Sequence, residues 1–131
     1  MTQEHKEFLF KDICARLPYN VICQVEFKEN GKYNSKVMLL SGIFTDEAYF
    51  TTKGGSIYSN EYKPYLFPLS SMTEEEQRTL DSMCNDVEIV SRLSGLKMFD
   101  KVFDWLNENH FDYRGLIEKG LAIDATGKKI Y

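Results

Sequence analysis

The sequence predicts an α+β fold: a single domain, residues 1–131, in which an antiparallel β-meander packs against an N-terminal helix and C-terminal helices. Three observations predict it. Residues 21–59 hold short runs of alternating apolar and polar side chains separated by turn residues, the period of half-buried strands. Residues 10–17 and 96–106 repeat apolar side chains every three to four positions, the period of amphipathic helices. Between the halves, Lys63-Pro64-Tyr65-Leu66-Phe67-Pro68 reads as a stiff apolar connector, and the helix start signal Thr73-Glu74-Glu75-Glu76 follows it.

In chain order, the first helix carries Phe10, Ile13, Cys14 and Leu17 at i, i+3, i+4 and i+7, with Lys6, Glu7, Lys11, Asp12 and Arg16 mostly off that stripe. Pro18 ends it, because proline lacks an N–H and disfavours helical dihedrals in the residue before it. Val21, Cys23, Val25 and Phe27 then alternate with Ile22, Gln24, Glu26 and Lys28. Asn30-Gly31 is a tight-hairpin signal, since both residues tolerate positive φ. That turn places Cys23 opposite Met38 and Val21 opposite Leu40, apolar against apolar; a longer loop through Tyr33-Asn34-Ser35 is the alternative. Lys36–Leu40 is the return strand, with Gly42 a bulge before Ile43-Phe44. Thr45-Asp46-Glu47 reads as a turn, Ala48–Thr52 as a third strand, Lys53–Ser56 as a turn and Ile57–Ser59 as a short fourth strand.

The second half is helical. Thr73 and Glu76 form a capping-box pattern, and the run of glutamates complements the positive end of the helix dipole. Asp86-Val87-Glu88-Ile89-Val90 fits a short strand or a helical turn. Leu96, Phe99, Val102, Phe103 and Leu106 make one apolar face of a long helix, widened by Met98 and Trp105. His110-Phe111-Asp112 breaks it. Asp112 caps a short last helix, Tyr113–Lys119, closed by Gly120, and Gly115 within it suggests close packing against a neighbour. Leu121-Ala122-Ile123 packs as an extended tail, and residues 126–131 fray.

Composition narrows the functions available. With 43% hydrophobic and 14% aromatic residues, the chain has ample material for a core. No apolar run is long enough to span a bilayer, and the charged Thr2–Glu7 segment is unlike a signal peptide, which together favour a cytosolic protein. Cys14, Cys23 and Cys84 form no CxxC pair and read as small buried hydrophobes. The net charge is −4, and residues 73–112 hold ten acidic and four basic groups. Nowhere is there a basic stripe to neutralise phosphates, which disfavours direct nucleic-acid binding.

Searches for chemistry find little. Phosphate-binding loops, a GxSxG elbow and an HExxH pair are all absent, and no cofactor or metal is implied. His110 has no second histidine to complete a zinc site and reads as a helix-end residue. Asp100, Asp104 and Glu108 stack at i, i+4 and i+8; Lys97 and Lys101 offset their repulsion, so the ridge is either a solvated helix face or an acidic dock for a basic partner. Tyr65 and Trp105 are either core residues or an interface hot spot.

Three ordered blocks carry a resemblance: Leu9–Tyr19; Lys63–Glu75; and Phe103–Asn107 with His110–Ala122. Together they resemble a family of small uncharacterised proteins encoded by gut anaerobes, often within prophages or other mobile elements. The resemblance implies an accessory role and carries over no activity, cofactor or catalytic residue. Two expectations result. The first is a non-enzymatic interaction protein with a protein partner, its contact surface drawn from Tyr65, Asp100, Asp104, Trp105 and Glu108. The second is a small-ligand binder or enzyme with a pocket between sheet and helices, using His110, Asp112 and Arg114.

Overall fold

The computed structural model describes residues 2–44, 47–85 and 92–131. Helix α1 (Gln3–Arg16) precedes strands β1 (Ile22–Glu29), β2 (Lys32–Phe44), β3 (Glu47–Thr52), β4 (Gly55–Ser59) and β5 (Tyr62–Pro68). Helices α2 (Glu74–Asn85) and α3 (Arg92–Glu108) follow, then two-residue strands β6 (Phe111–Asp112) and β7 (Ile123–Asp124). The sheet has the order β4-β3-β2-β1-β5-β6, with β7 also on β5; β1 to β5 are antiparallel, and β6 and β7 run parallel to β5. The α+β class is as the sequence predicts.

The meander forms as its pattern dictates. Asn30 (φ 51°) and Gly31 (φ 78°) make the two-residue turn, which excludes the longer loop. Cys23 pairs with Met38, and the Leu40 N–H donates to Val21 C=O at 3.0 Å. The register shifts between Leu40 and Gly42, the expected bulge. A Cβ on Gly42 would stand 3.2 Å from the Phe44 ring and 3.6 Å from Tyr49 Cβ, so the bulge leaves little room there for a side chain. Val21, Cys23, Val25, Met38, Leu40, Ala48 and Phe50 all face one side, where Leu9 and Ile13 of α1 join them. Thr45 and Asp46, the centre of the expected turn, and Asp86–Val90 lie outside the described residues.

The proline segment is not a connector. It is β5, flanked by other strands on both sides. The Glu26 N–H donates to Glu61 C=O at 2.9 Å, so odd-numbered residues here direct their backbone groups toward β1 and even-numbered ones direct theirs away. Pro64 thus turns its missing N–H to the outer edge, where no bond to β1 is lost. The Phe67 N–H donates to His110 C=O on the β1 side, and the Ala125 N–H donates to Leu66 C=O on the outer side, so β6 and β7 flank β5 on opposite edges. By register Ile22 stands opposite Tyr65. The Tyr131 hydroxyl bridges these two, accepting from Ile22 N–H (2.9 Å) and donating to Tyr65 C=O (2.8 Å). The tail expected to fray is therefore pinned through its last residue.

Several local expectations need correction. The inward line of α1 is Leu9, Asp12, Ile13 and Arg16, while Phe10 and Cys14 face outward. Cys84 is also exposed, leaving Cys23 as the one buried thiol among the three; burial pushes its pKa well up. Residues 113–119 form turns rather than a helix. Gly115 is required by its φ of +74°, not by packing, since nothing stands within 4 Å of a Cβ placed there. The Thr73 capping box is present as expected: Glu76 N–H donates to Thr73 Oγ1 at 3.1 Å, and Thr73 N–H donates to Glu76 Oε1 at 2.9 Å. Among the described residues no helix is long and apolar enough to cross a membrane.

Candidate functional site

The polar residues singled out in the sequence fall in two places. The first is the junction where α1 meets β6. Arg16 and Asp12 sit one turn apart on the inward face of α1, both wholly buried. Arg16 Nε donates to Asp12 Oδ2 at 2.7 Å, and its Nη2 donates to Phe111 C=O at 2.7 Å, tying the helix to β6. Arg114 Nε lies 3.2 Å from Asp12 Oδ1, within ion-pair reach but out of line for a hydrogen bond. The Tyr113 ring takes both guanidinium groups, each with Cζ 5.2 Å from its centroid. Arg16 Nη1 is buried without a hydrogen-bond partner, on a guanidinium that lies beside the Tyr113 ring.

At this junction Asp112 and His110 are also engaged. The Asp112 oxygens accept from Leu116 N–H and Ile117 N–H, each at 2.9 Å, closing the turn that follows. His110 adopts φ 62° where α3 gives way to β6, and its ring stacks on Tyr131 at 3.6 Å and 12°. Burial, with a smaller contribution from the Arg16 charge, lowers its pKa to about 4, so the imidazole is neutral at pH 7. Burial also holds the Tyr131 phenol above its ordinary range. His110, Asp112 and Arg114 are thus gathered in one neighbourhood, each with a structural task. They do not line the cleft of about 470 Å³ that opens at the outer edge of β5 beside Tyr62. Among the described residues no group of three or more His, Cys, Asp and Glu side chains could hold a metal ion.

The second place is α3. Asp100, Asp104 and Glu108 are exposed along it, and Asp104 Oδ1 accepts from the Tyr19 hydroxyl at 3.1 Å, a bond that raises the Tyr19 pKa. Trp105 is half-buried and stacks on Phe111 (5.6 Å, 25°), so it supports the helix from beneath. Leu106 is buried as its periodicity requires. Phe99 and Phe103 are not: 54% and 43% exposed, they stack on each other at 6.5 Å on the outside of the molecule. Phe103 also meets Tyr113 at 5.2 Å, which joins the aromatic pair to the rim of the junction. The side chains of Leu96, Lys97 and Met98 lie outside the described residues.

Of the two readings open to Tyr65, core residue or interface hot spot, the structure has the core one. Tyr65 is 7% exposed, and its hydroxyl donates to Gln24 Oε1 at 3.2 Å, across the β1–β5 ladder. Sequence reasoning missed four others: Asp12 and Arg16, assigned to the solvent side of α1, and Phe99 and Phe103, assigned to the core. The signal for the first pair was present as an acid four residues before a base on a helix, although that spacing is usual on exposed faces too. Comparison with protein-family models, with curated proteins and with solved structures finds no significant match to the chain.

Proposed function

We propose that this chain is a non-enzymatic interaction protein, an accessory component of a prophage or other mobile element, that docks a basic amphipathic segment of a host or phage protein on the outward face of α3. One observation carries the reading: Phe99 and Phe103 form a stacked apolar pair in solvent, on a helix that also exposes Asp100, Asp104 and Glu108. Covering a phenylalanine contributes roughly 1.5–3 kcal/mol in full burial, so two of them supply a central anchor. The surrounding carboxylates favour a partner with lysine or arginine at its rim and speed its approach. The surplus of six negative charges over residues 73–112 supports the same polarity of partner and repels nucleic-acid phosphates. The resemblance in sequence supplies the setting.

The alternative of an enzyme or small-ligand binder at the sheet–helix junction has less support. Asp112 is occupied in capping, Arg114 in an ion pair and the His110 ring in stacking, although His110 Nδ1 is buried without a hydrogen-bond partner. Affinity capture from host lysate tests the docking reading, with the parent chain beside Asp100→Lys and the double variant Phe99→Ser/Phe103→Ser. Asp100 is preferable to Asp104 because the latter also holds Tyr19. A partner captured by the parent and lost by both variants supports the reading; capture of every partner by both variants overturns it.

A further inference from the structure

We propose that the outer edge of β5 is a second binding site, one that takes an extended peptide segment of a protein partner as a short added strand beside Tyr62 and Lys63. The inference does not depend on the α3 face. Because Glu61 and Lys63 direct their N–H and C=O groups toward β1, Tyr62 directs both of its own to the other side. Further along that side β7 pairs with Tyr65 and Leu66. Before Ile123 the chain closes a turn instead of pairing with β5, the Leu121 N–H donating to Leu116 C=O at 2.9 Å and the Gly120 N–H to Ile117 C=O at 3.0 Å. The line of β7 therefore stops short of Tyr62. What remains there is an edge with no strand paired to it among the described residues, a template for main-chain hydrogen bonds: the Tyr62 side chain is in the core, 8% exposed, while the residue lines the cleft at that edge.

That edge opens into the cleft of about 470 Å³, whose lining includes Lys6 from α1, Glu26 from β1, Glu61 just before β5, Tyr62 and Lys63 from its start, and Ile123 from β7. None of the four charged residues here has an ion-pair partner within 4 Å among the described residues. Glu26 and Glu61 face each other just past the end of the ladder, joined by the bond from Glu26 N–H to Glu61 C=O, and like charges so placed cost stability unless a cation comes between them. Glu61 and Lys63 lie two residues apart and so share one face of the sheet. A strand added along this edge meets that face with every second side chain. The complementary ligand is an extended peptide carrying a basic residue opposite Glu61 and an acidic residue opposite Lys63, two positions apart. Its main chain bonds to the Tyr62 N–H and C=O. Pro64, which offers no donor to the same edge, limits the template to this short stretch.

The test uses the full chain, isotope-labelled, titrated with terminally blocked seven-residue peptides of a Thr/Val host. One carries a Lys and a Glu two positions apart, and another is neutral throughout. The expected result is a saturable shift of the Tyr62 amide resonance, with that amide gaining protection from hydrogen exchange, and about tenfold weaker binding of the neutral peptide. The double variant Glu61→Lys/Lys63→Glu exchanges the two exposed charges without touching the core. It should prefer a third peptide in which the Lys and Glu are exchanged. Any of four results overturns the proposal: no saturable shift with any peptide, shifts that map to α3 instead, equal response to a free amino acid, or protection of Tyr62 that rises with protein concentration alone, which would make a second copy the occupant.

Discussion

Helices α1 and α3 invert each other. The inward face of α1 carries Asp12 and Arg16, both wholly buried, whereas the outward face of α3 carries Phe99 and Phe103, both exposed. In each helix the apolar stripe read from periodicity predicts only part of what is covered. What decides burial is the partner available at that point. Arg16 finds the Phe111 carbonyl, 95 residues away in sequence, together with the Tyr113 ring, and with Asp12 it satisfies most of its hydrogen-bonding capacity indoors. Phe99 and Phe103 find each other and the edge of Tyr113, and remain open to solvent. The lesson is that the partners within reach, not the polarity of the side chain, decide what these two helices bury.

That comparison can be broken first at its charged side. Asp12→Ala leaves two guanidinium groups beside each other, one of them fully buried, without their shared carboxylate, and should cost about 3–5 kcal/mol. A drop in the urea midpoint without a change in slope would register it; a loss under about 1 kcal/mol would mean that the pair is not essential to the junction.

The pH dependence sharpens the same point. His110 has a folded pKa of about 4, below the unfolded value of about 6.5, so between these values the unfolded chain binds the extra proton. Its contribution is therefore complete above about pH 6.5 and is lost as pH falls toward 4, by at most about 3 kcal/mol, less where solvent screens the partly exposed ring. His110→Phe keeps a ring for Tyr131 to stack on and should flatten stability between pH 6.5 and 4. An unchanged slope in that variant would assign the acid sensitivity elsewhere.

Smaller again is the bridge at the end of the chain. Tyr131→Phe keeps the ring and removes the hydroxyl, leaving Ile22 N–H and Tyr65 C=O without their shared partner, at a cost of about 1–3 kcal/mol. Faster hydrogen exchange at Ile22, with the rest of β1 unaffected, is the expected signature.

Much of the meander was legible because local rules agree there. Asn30 and Gly31 both take positive φ, and alternation fixes Cys23 opposite Met38, so turn and register support one another. β5 was not legible, since its two prolines read as a break. Only the direction of the neighbouring bonds shows that Pro64 places its missing donor on the side away from β1. The site was less legible still. The capping by Asp112 could be read from the residues after it, but the burial of Arg16 depends on a distant carbonyl. The exposure of Phe103 depends on what does not reach it. Tyr131 belongs to a terminal segment with no periodicity to read, yet its hydroxyl closes the gap between β1 and β5.

The central claim is that α1 is held by its charges and that α3 leaves its phenylalanines spare. Urea unfolding of Arg16→Met beside Phe99→Ser/Phe103→Ser, followed by circular dichroism, tests it most directly. The account predicts that replacing the one arginine costs about 3–5 kcal/mol, while removing both half-exposed phenylalanines costs less, about 1–2 kcal/mol. The reverse order, a tolerant Arg16 and a chain that unfolds without Phe99 and Phe103, would contradict it.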